Sequence, residues 1–189
     1  MQDTLPIHFA PLQGYTEAIY RNAHDAFFGG VDTYYTPFVR LEKGNFRRRD
    51  VRGIEPENNG VPHLIPQLIA SSAEKAEVIL SLFIEKGYQE VDINLGCPFP
   101  LLAKRHNGSG ILPYPEEVKA LLSIVTRYPQ ISFSVKMRLG WEQPDECLAL
   151  APILNDLPLR QITMHPRLGK QGYKGEVCLL YTSDAADDL

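Results

Sequence analysis

The chain has little cysteine and no long apolar run, and both shortages narrow what it can be. Its three cysteines, Cys97, Cys147 and Cys178, have neither the paired spacing of a metal site nor the density of a disulfide framework. Free thiols in a reducing compartment are therefore expected. No stretch reaches the roughly 20 consecutive apolar residues of a membrane span. The opening residues, Met1 to Pro6, lack the basic flank and apolar segment of a secretory signal. The sequence reads as cytoplasmic, with neither membrane nor metal as partner. Gly14, Gly87, Gly169 and Gly172 are too scattered for a dinucleotide fingerprint, and no phosphate-loop pattern or Ser-His-Asp order stands out. A net charge of −4 over 189 residues speaks weakly against a broad nucleic-acid-binding surface.

That acidity is concentrated at one end. Residues 178–189, Cys-Leu-Leu-Tyr-Thr-Ser-Asp-Ala-Ala-Asp-Asp-Leu, resemble the translation of a DNA-library adaptor and are expected to be a non-native tail; a short native tail is the alternative. Setting aside Asp184, Asp187 and Asp188 moves the net charge from −4 to −1. The objection to a nucleic-acid partner then mostly disappears.

Short β-rich runs alternate with longer helical patterns. Strands are predicted at Ile7–Leu12, Val31–Phe38, His63–Ile69, Glu90–Leu95, Ile131–Arg138 and Gln161–His165. Helices are predicted at Thr16–Phe27, Ser72–Lys86, Tyr114–Arg127 and Pro144–Asn155. In the second helix Ala76, Ile79, Leu80, Phe83 and Ile84 share a face, Ser71 with Glu74 fits a capping box, and Gly87 stands at the stop. Leu41–Gly60 reads as a long polar insertion. Such alternation implies an α/β fold with parallel strands. Gln13, Gln67, Asn94, Cys97, Lys136, Arg138 and His165 gather at strand ends, which favours a (β/α)8 TIM barrel over an open sheet with a single switch point. About six of the eight strands of such a barrel are present, so residues 1–177 are expected to form an incomplete barrel domain.

The most informative segment is Val91-Asp92-Ile93-Asn94-Leu95-Gly96-Cys97-Pro98. A buried strand ends in a Gly-Cys-Pro turn, so the thiol is fixed at the strand's C-terminal end, where Gly96 permits unusual backbone angles and Pro98 stiffens the exit. Asn94 offers a donor and an acceptor there. A buried structural cysteine is the competing reading.

The segment from Asp92 to Pro98, followed by Gly108-Ser109-Gly110-Ile111-Leu112, closely resembles the signature of tRNA-dihydrouridine synthases. Four more segments agree in the same order. They are Ala10-Pro11-Leu12-Gln13-Gly14-Tyr15-Thr16-Glu17 with Tyr20-Arg21, Pro66-Gln67-Leu68, Val135 to Trp141, and Met164-His165-Pro166-Arg167 with Tyr173-Lys174-Gly175. Leu12, Glu17 and Pro166 depart from the usual Met, Asp and Gly. The resemblance spans nearly all of 7–177.

The resemblance implies FMN bound at the barrel's C-terminal rim, NADPH as reductant and tRNA as substrate. Reduction of uracil needs a hydride at C6 and a proton at C5; the flavin supplies the first, and Cys97 occupies the family's acid position. It further implies that Pro11, Leu12, Gln13, Gln67, Asn94, Lys136 and His165 line the flavin site. Arg40, Lys43, Arg47, Arg48, Arg49 and Arg52 form a basic run that either meets tRNA phosphates or is a solvated charged loop. Lys104, Arg105, Arg138 and Arg167 are further candidates for RNA contact, near an extruded base. Pro100, where many members carry a basic or polar residue, leaves the modified position unassigned. A monomer is expected for the complete protein. The family's main FMN-phosphate loops and its helical RNA-binding domain come later in the chain, so the 189 residues alone are expected to bind FMN poorly and to be inactive. The rivals are an FMN barrel acting on a small molecule and a non-catalytic RNA-binding fragment.

Overall fold

A computed structural model describes residues 5–178. The expectation of a non-native tail lies, from residue 179 onward, outside the described residues. In chain order the elements are β1 (His8–Phe9), α1 (Ala18–Phe27), β2 (Thr33–Tyr35), β3 (Leu41–Glu42), β4 (Asn45–Phe46), α2 (Arg48–Ile54), β5 (Leu64–Ile65), β6 (Gln67–Leu68), α3 (Ala73–Glu85), β7 (Glu90–Leu95), α4 (Pro100–Ala103), α5 (Pro115–Leu122), α6 (Ile124–Arg127), β8 (Ser132–Gly140), α7 (Glu146–Asn155) and β9 (Leu159–Leu168).

The sheets run β1-β2-β5 and β6-β7-β8-β9, with every neighbouring pair parallel. The predicted strand His63–Ile69 is thus divided at Pro66, which has no N–H to give a ladder. Its carbonyl still accepts from Asp92 N at 3.0 Å, and Gln67 N finds the Thr36 hydroxyl at 3.0 Å. A side chain therefore replaces a backbone partner where the two sheets join.

Side chains alternate across a strand, and here the two faces differ in chemistry. Val91, Ile93 and Leu95 of β7 and Phe133, Val135 and Met137 of β8 are buried in the core that also takes Ile79, Leu80 and Phe83 of α3, Val118 and Leu121 of α5, and Leu150 of α7. Each large side chain withdrawn from water there contributes about 1.5–3 kcal/mol. The other face carries polar rows set by register: Gln67 beside Asp92, Asp92 beside Ser134, Asn94 beside Lys136, and Arg138 beside His165. Parallel strands are usually apolar on both faces, so this row of polar groups marks where the chemistry lies.

Several local expectations need correction. The N-cap of α3 is Ser72, whose hydroxyl accepts from Lys75 N, and Ser71 instead receives the Lys75 ammonium. Ile84 is half out of the core at 39 % exposure. The stop at Gly87 is as expected: φ is +86°, Gly87 N reaches Ile84 O and Tyr88 N reaches Phe83 O, and the Phe83 and Tyr88 rings meet edge to face. The predicted helix Tyr114–Arg127 breaks at Ser123, whose hydroxyl bonds back to Ala120 O at 2.7 Å. Leu41–Gly60 is structured. A hairpin of β3 and β4 turns through Lys43 and Gly44, both at positive φ, and α2 follows. The fully buried Arg21 of α1 donates to Thr16 O, Gly53 O and the Asn59 side chain, which anchors the end of α2. Burial, opposed by Glu17, pulls the Arg21 pKa down to about 10, so it remains charged.

Candidate active site

The strand ends converge on one cavity of about 70 Å³. Pro11, Leu12 and Gln13 reach it from the turn after β1, Gln67 from β6, Asn94 and Cys97 from the end of β7, Lys136 and Arg138 from β8, and His165 from β9. It shares Gln13, Phe38, Cys97, Pro98 and Tyr173 with a second cavity of about 860 Å³. The smaller space alone is below the roughly 300 Å³ of a ligand site, whereas the two together exceed it. Both amide atoms of Gln13 are buried without a hydrogen-bond partner. A buried amide left unpaired is costly, so this one is suited to a bound polar group.

The Cys97 turn is held from both sides. Asn94 Oδ1 accepts from Gly96 N at 3.0 Å and from Cys97 N at 2.8 Å. Ser109 donates to Cys97 O through both its backbone N–H and its hydroxyl, each at 3.0 Å. Gly108, at φ +60°, passes so close that a Cβ there would lie 2.6 Å from Cys97 O. Sequence reasoning gave Gly108 and Ser109 no role, although both stand in the quoted signature. Only their contact with a residue eleven or twelve positions earlier reveals it.

Burial sets the charges. It pushes the Cys97 thiol up, against the opposing Phe99 amide, Arg138 and Arg40, so the sulfur keeps its proton at neutral pH. Lys136 is pulled down by burial, while Asp92 supports its charge and Arg138 opposes it. His165 falls to about 4 through burial and then through Arg138, Lys136 and Arg167. Arg167 meets His165 Nε2 at 3.2 Å and must donate, so the ring is neutral with its proton on Nδ1. An NMR titration of His165 is expected to give a midpoint near 4 instead of the usual 6.5. Because folding lowers this pKa, the stability it contributes is present above pH 6.5 and lost as the pH falls toward 4. A midpoint of about 6 or higher would remove the ring from this cationic surrounding.

Arginines and lysines expected at RNA separate into groups. Arg40, Arg47 and Lys104 line the larger cavity, joined by Arg49 and Lys170. Arg48 is exposed but does not line it, and Arg105 lines a separate pocket beside the hairpin. Arg138 is 1 % exposed. Its guanidinium donates to Gly96 O at 2.9 Å, Leu168 O at 2.8 Å and Gly172 O at 2.7 Å, which makes it a brace between loops. Arg167 divides its donors between His165 and Gly175 O. Phe38, Phe99 and Trp141 give the larger cavity aromatic walls.

Among the described residues no helix is long and apolar enough to cross a membrane, and no cluster of His, Cys, Asp or Glu could hold a metal ion. The described residues form a parallel α/β fold with a thiol, a lysine and a histidine gathered where its strands end. The chain belongs to the dihydrouridine synthase (Dus) family, whose model matches residues 8–181. It is 29% identical to the probable tRNA-dihydrouridine synthase 1 of Synechocystis, over 88% of this chain and 46% of that protein. It is 28% identical to the tRNA-dihydrouridine(16) synthase of Haemophilus ducreyi, over 90% of this chain and 54% of that protein. With the tRNA-dihydrouridine synthase B of Vibrio cholerae it shares 32% identity over 59% of this chain. The chain spans about half the length of the curated relatives it matches over most of its own length.

Proposed function

We propose that the full-length protein reduces uridine to 5,6-dihydrouridine in tRNA, with FMN as cofactor and NADPH as reductant, in the cytoplasm, and that these strands are part of a (β/α)8 barrel. The observation that carries the reading is the place of Cys97, a protonated thiol on the wall shared by a polar cavity and a larger basic one. FMN needs the two spaces together, with its ring at the smaller: there Gln13 presents an unpaired amide, and Pro11, Leu12, Gln67, Asn94, Lys136 and His165 line the wall. FMN held by these residues would supply the hydride for C6. Lys136 contributes the positive charge that favours an electron-rich ring. Cys97 Sγ holds the proton destined for C5.

The basic residues Arg40, Arg47, Arg49, Lys104 and Lys170 suit phosphates along the rim. Phe99 and Trp141 offer faces on which an extruded base can stack. Arg48, Arg105, Arg138 and Arg167 stay in the proposed RNA-side set only as outlying or supporting groups, given their placement. The 189 residues alone are expected to hold less than stoichiometric FMN, because among the described residues β1 and β9, the outer strands of their sheets, each pair with one strand. The test therefore uses the full-length protein: NADPH oxidation should depend on unmodified tRNA and leave dihydrouridine in it. Rapid oxidation with a small enone and none with tRNA would favour a small-molecule reductase instead.

A further inference from the structure

Asp92 is 1 % exposed, a carboxylate inside a strand, and the role of Cys97 as acid does not explain it. Its surroundings form a directed chain. Ser134 Oγ donates to one of its oxygens and Gln67 Nε2 to the other, each at 2.6 Å. Gln67 Oε1 accepts from Asn94 Nδ2 at 2.8 Å. Asn94 Oδ1, in turn, accepts from the backbone N–H groups of Gly96 and Cys97.

The backbone end fixes every orientation along the chain. A backbone N–H can only donate, so the Asn94 atom facing the turn must be oxygen, and its amide nitrogen must face Gln67. That nitrogen can only donate, so the Gln67 atom facing it must be oxygen, and the Gln67 nitrogen must face Asp92, whose oxygen accepts. All donors point away from the thiol turn and toward the buried Asp92 carboxyl. Burial pushes the Asp92 carboxyl up, against Ser134, Gln67, Lys136 and Arg160, and each polarised amide becomes a better acceptor for the next.

We infer that Asp92 is a positioning residue for the Cys97 turn, acting through Gln67 and Asn94 to grip the amides of Gly96 and Cys97. The inference rests on the reading of Cys97 as the acid, and gives that site a support that neither the motif nor the chemistry assigns.

Asp92→Leu tests it, because leucine keeps the bulk and the burial yet offers no acceptor to Gln67 or Ser134. Gln67→Met is the second variant, cutting the chain while keeping its length. Hydrogen exchange is read at single amides without flavin or tRNA. In each variant the Gly96 and Cys97 amides are expected to exchange about five- to tenfold faster. Ile93 and Val135, in the β7–β8 ladder, should stay unchanged. No change at Gly96 and Cys97 in either variant would overturn the inference. So would equal acceleration at the ladder amides, which would make Asp92 a general core residue. Either failure leaves the acid role of Cys97 intact, since that role is judged by turnover of Cys97→Ala.

Discussion

Replacing Cys97 by alanine in the full-length protein is expected to lower tRNA-dependent uridine reduction by about a hundred- to ten-thousandfold, the usual weight of a positioned acid. FMN should remain bound, because the thiol contributes no more than a small part of the cavity wall. The loss should be large because its neighbours cannot take over. His165 is already neutral, with a pKa near 4, and so has no ready proton to deliver. Lys136 lines the smaller cavity and not the larger one. Reduced-flavin reoxidation by tRNA in a single turnover isolates this step from NADPH binding. A Cys97→Ala protein with near-normal rates would end the assignment and direct attention to the Tyr173 phenol, which lines both cavities.

Gly108→Ala should do nearly as much damage from outside the chemistry. The residue sits at φ +60°, and an added Cβ would come within 2.6 Å of Cys97 O, 2.8 Å of Cys97 Cβ and 2.9 Å of Cys97 N. These atoms include backbone, so no flexible side chain can swing aside. The left-handed conformation costs about 1–2 kcal/mol, and forced overlap in a packed region about 1–3 kcal/mol more. Gly44→Ala is the control: its φ is +81° with nothing within 4 Å of the added carbon, so it carries the conformational cost alone. Urea denaturation should separate the two variants by about 1–3 kcal/mol, and Gly108→Ala should also lose turnover as the thiol is displaced. Equal destabilisation would mean that the Cys97 seat can yield.

Much of this was legible in the chain. Alternation of short apolar runs with helical patterns led to parallel strands, and Gly-Cys-Pro after a buried run located the thiol. The seven residues assigned to a flavin all face one cavity. What escaped was decided by partners far away in sequence. The segment Leu41–Gly60 looks like polar loop because its anchor, Arg21, lies in a different helix. Asp92 reads as one polar residue in a strand until Gln67, 25 positions earlier, and Ser134, 42 later, are seen to meet it. Charge alone likewise sorted the arginines badly. Arg138 and Arg47 look alike in sequence, yet one is enclosed by carbonyls and the other faces an open cavity.

The bracing by Arg138 has a mechanical side. One planar group holds carbonyls from the thiol turn, from the end of β9 and from the loop that follows it, with the Tyr173 ring 5.6 Å from the guanidinium carbon. Three segments that are distant in sequence are thereby pinned like leaves to a common rivet. The loop carrying Tyr173 cannot swing far without tugging on Gly96, so whatever settles against that loop is felt one residue away from the sulfur.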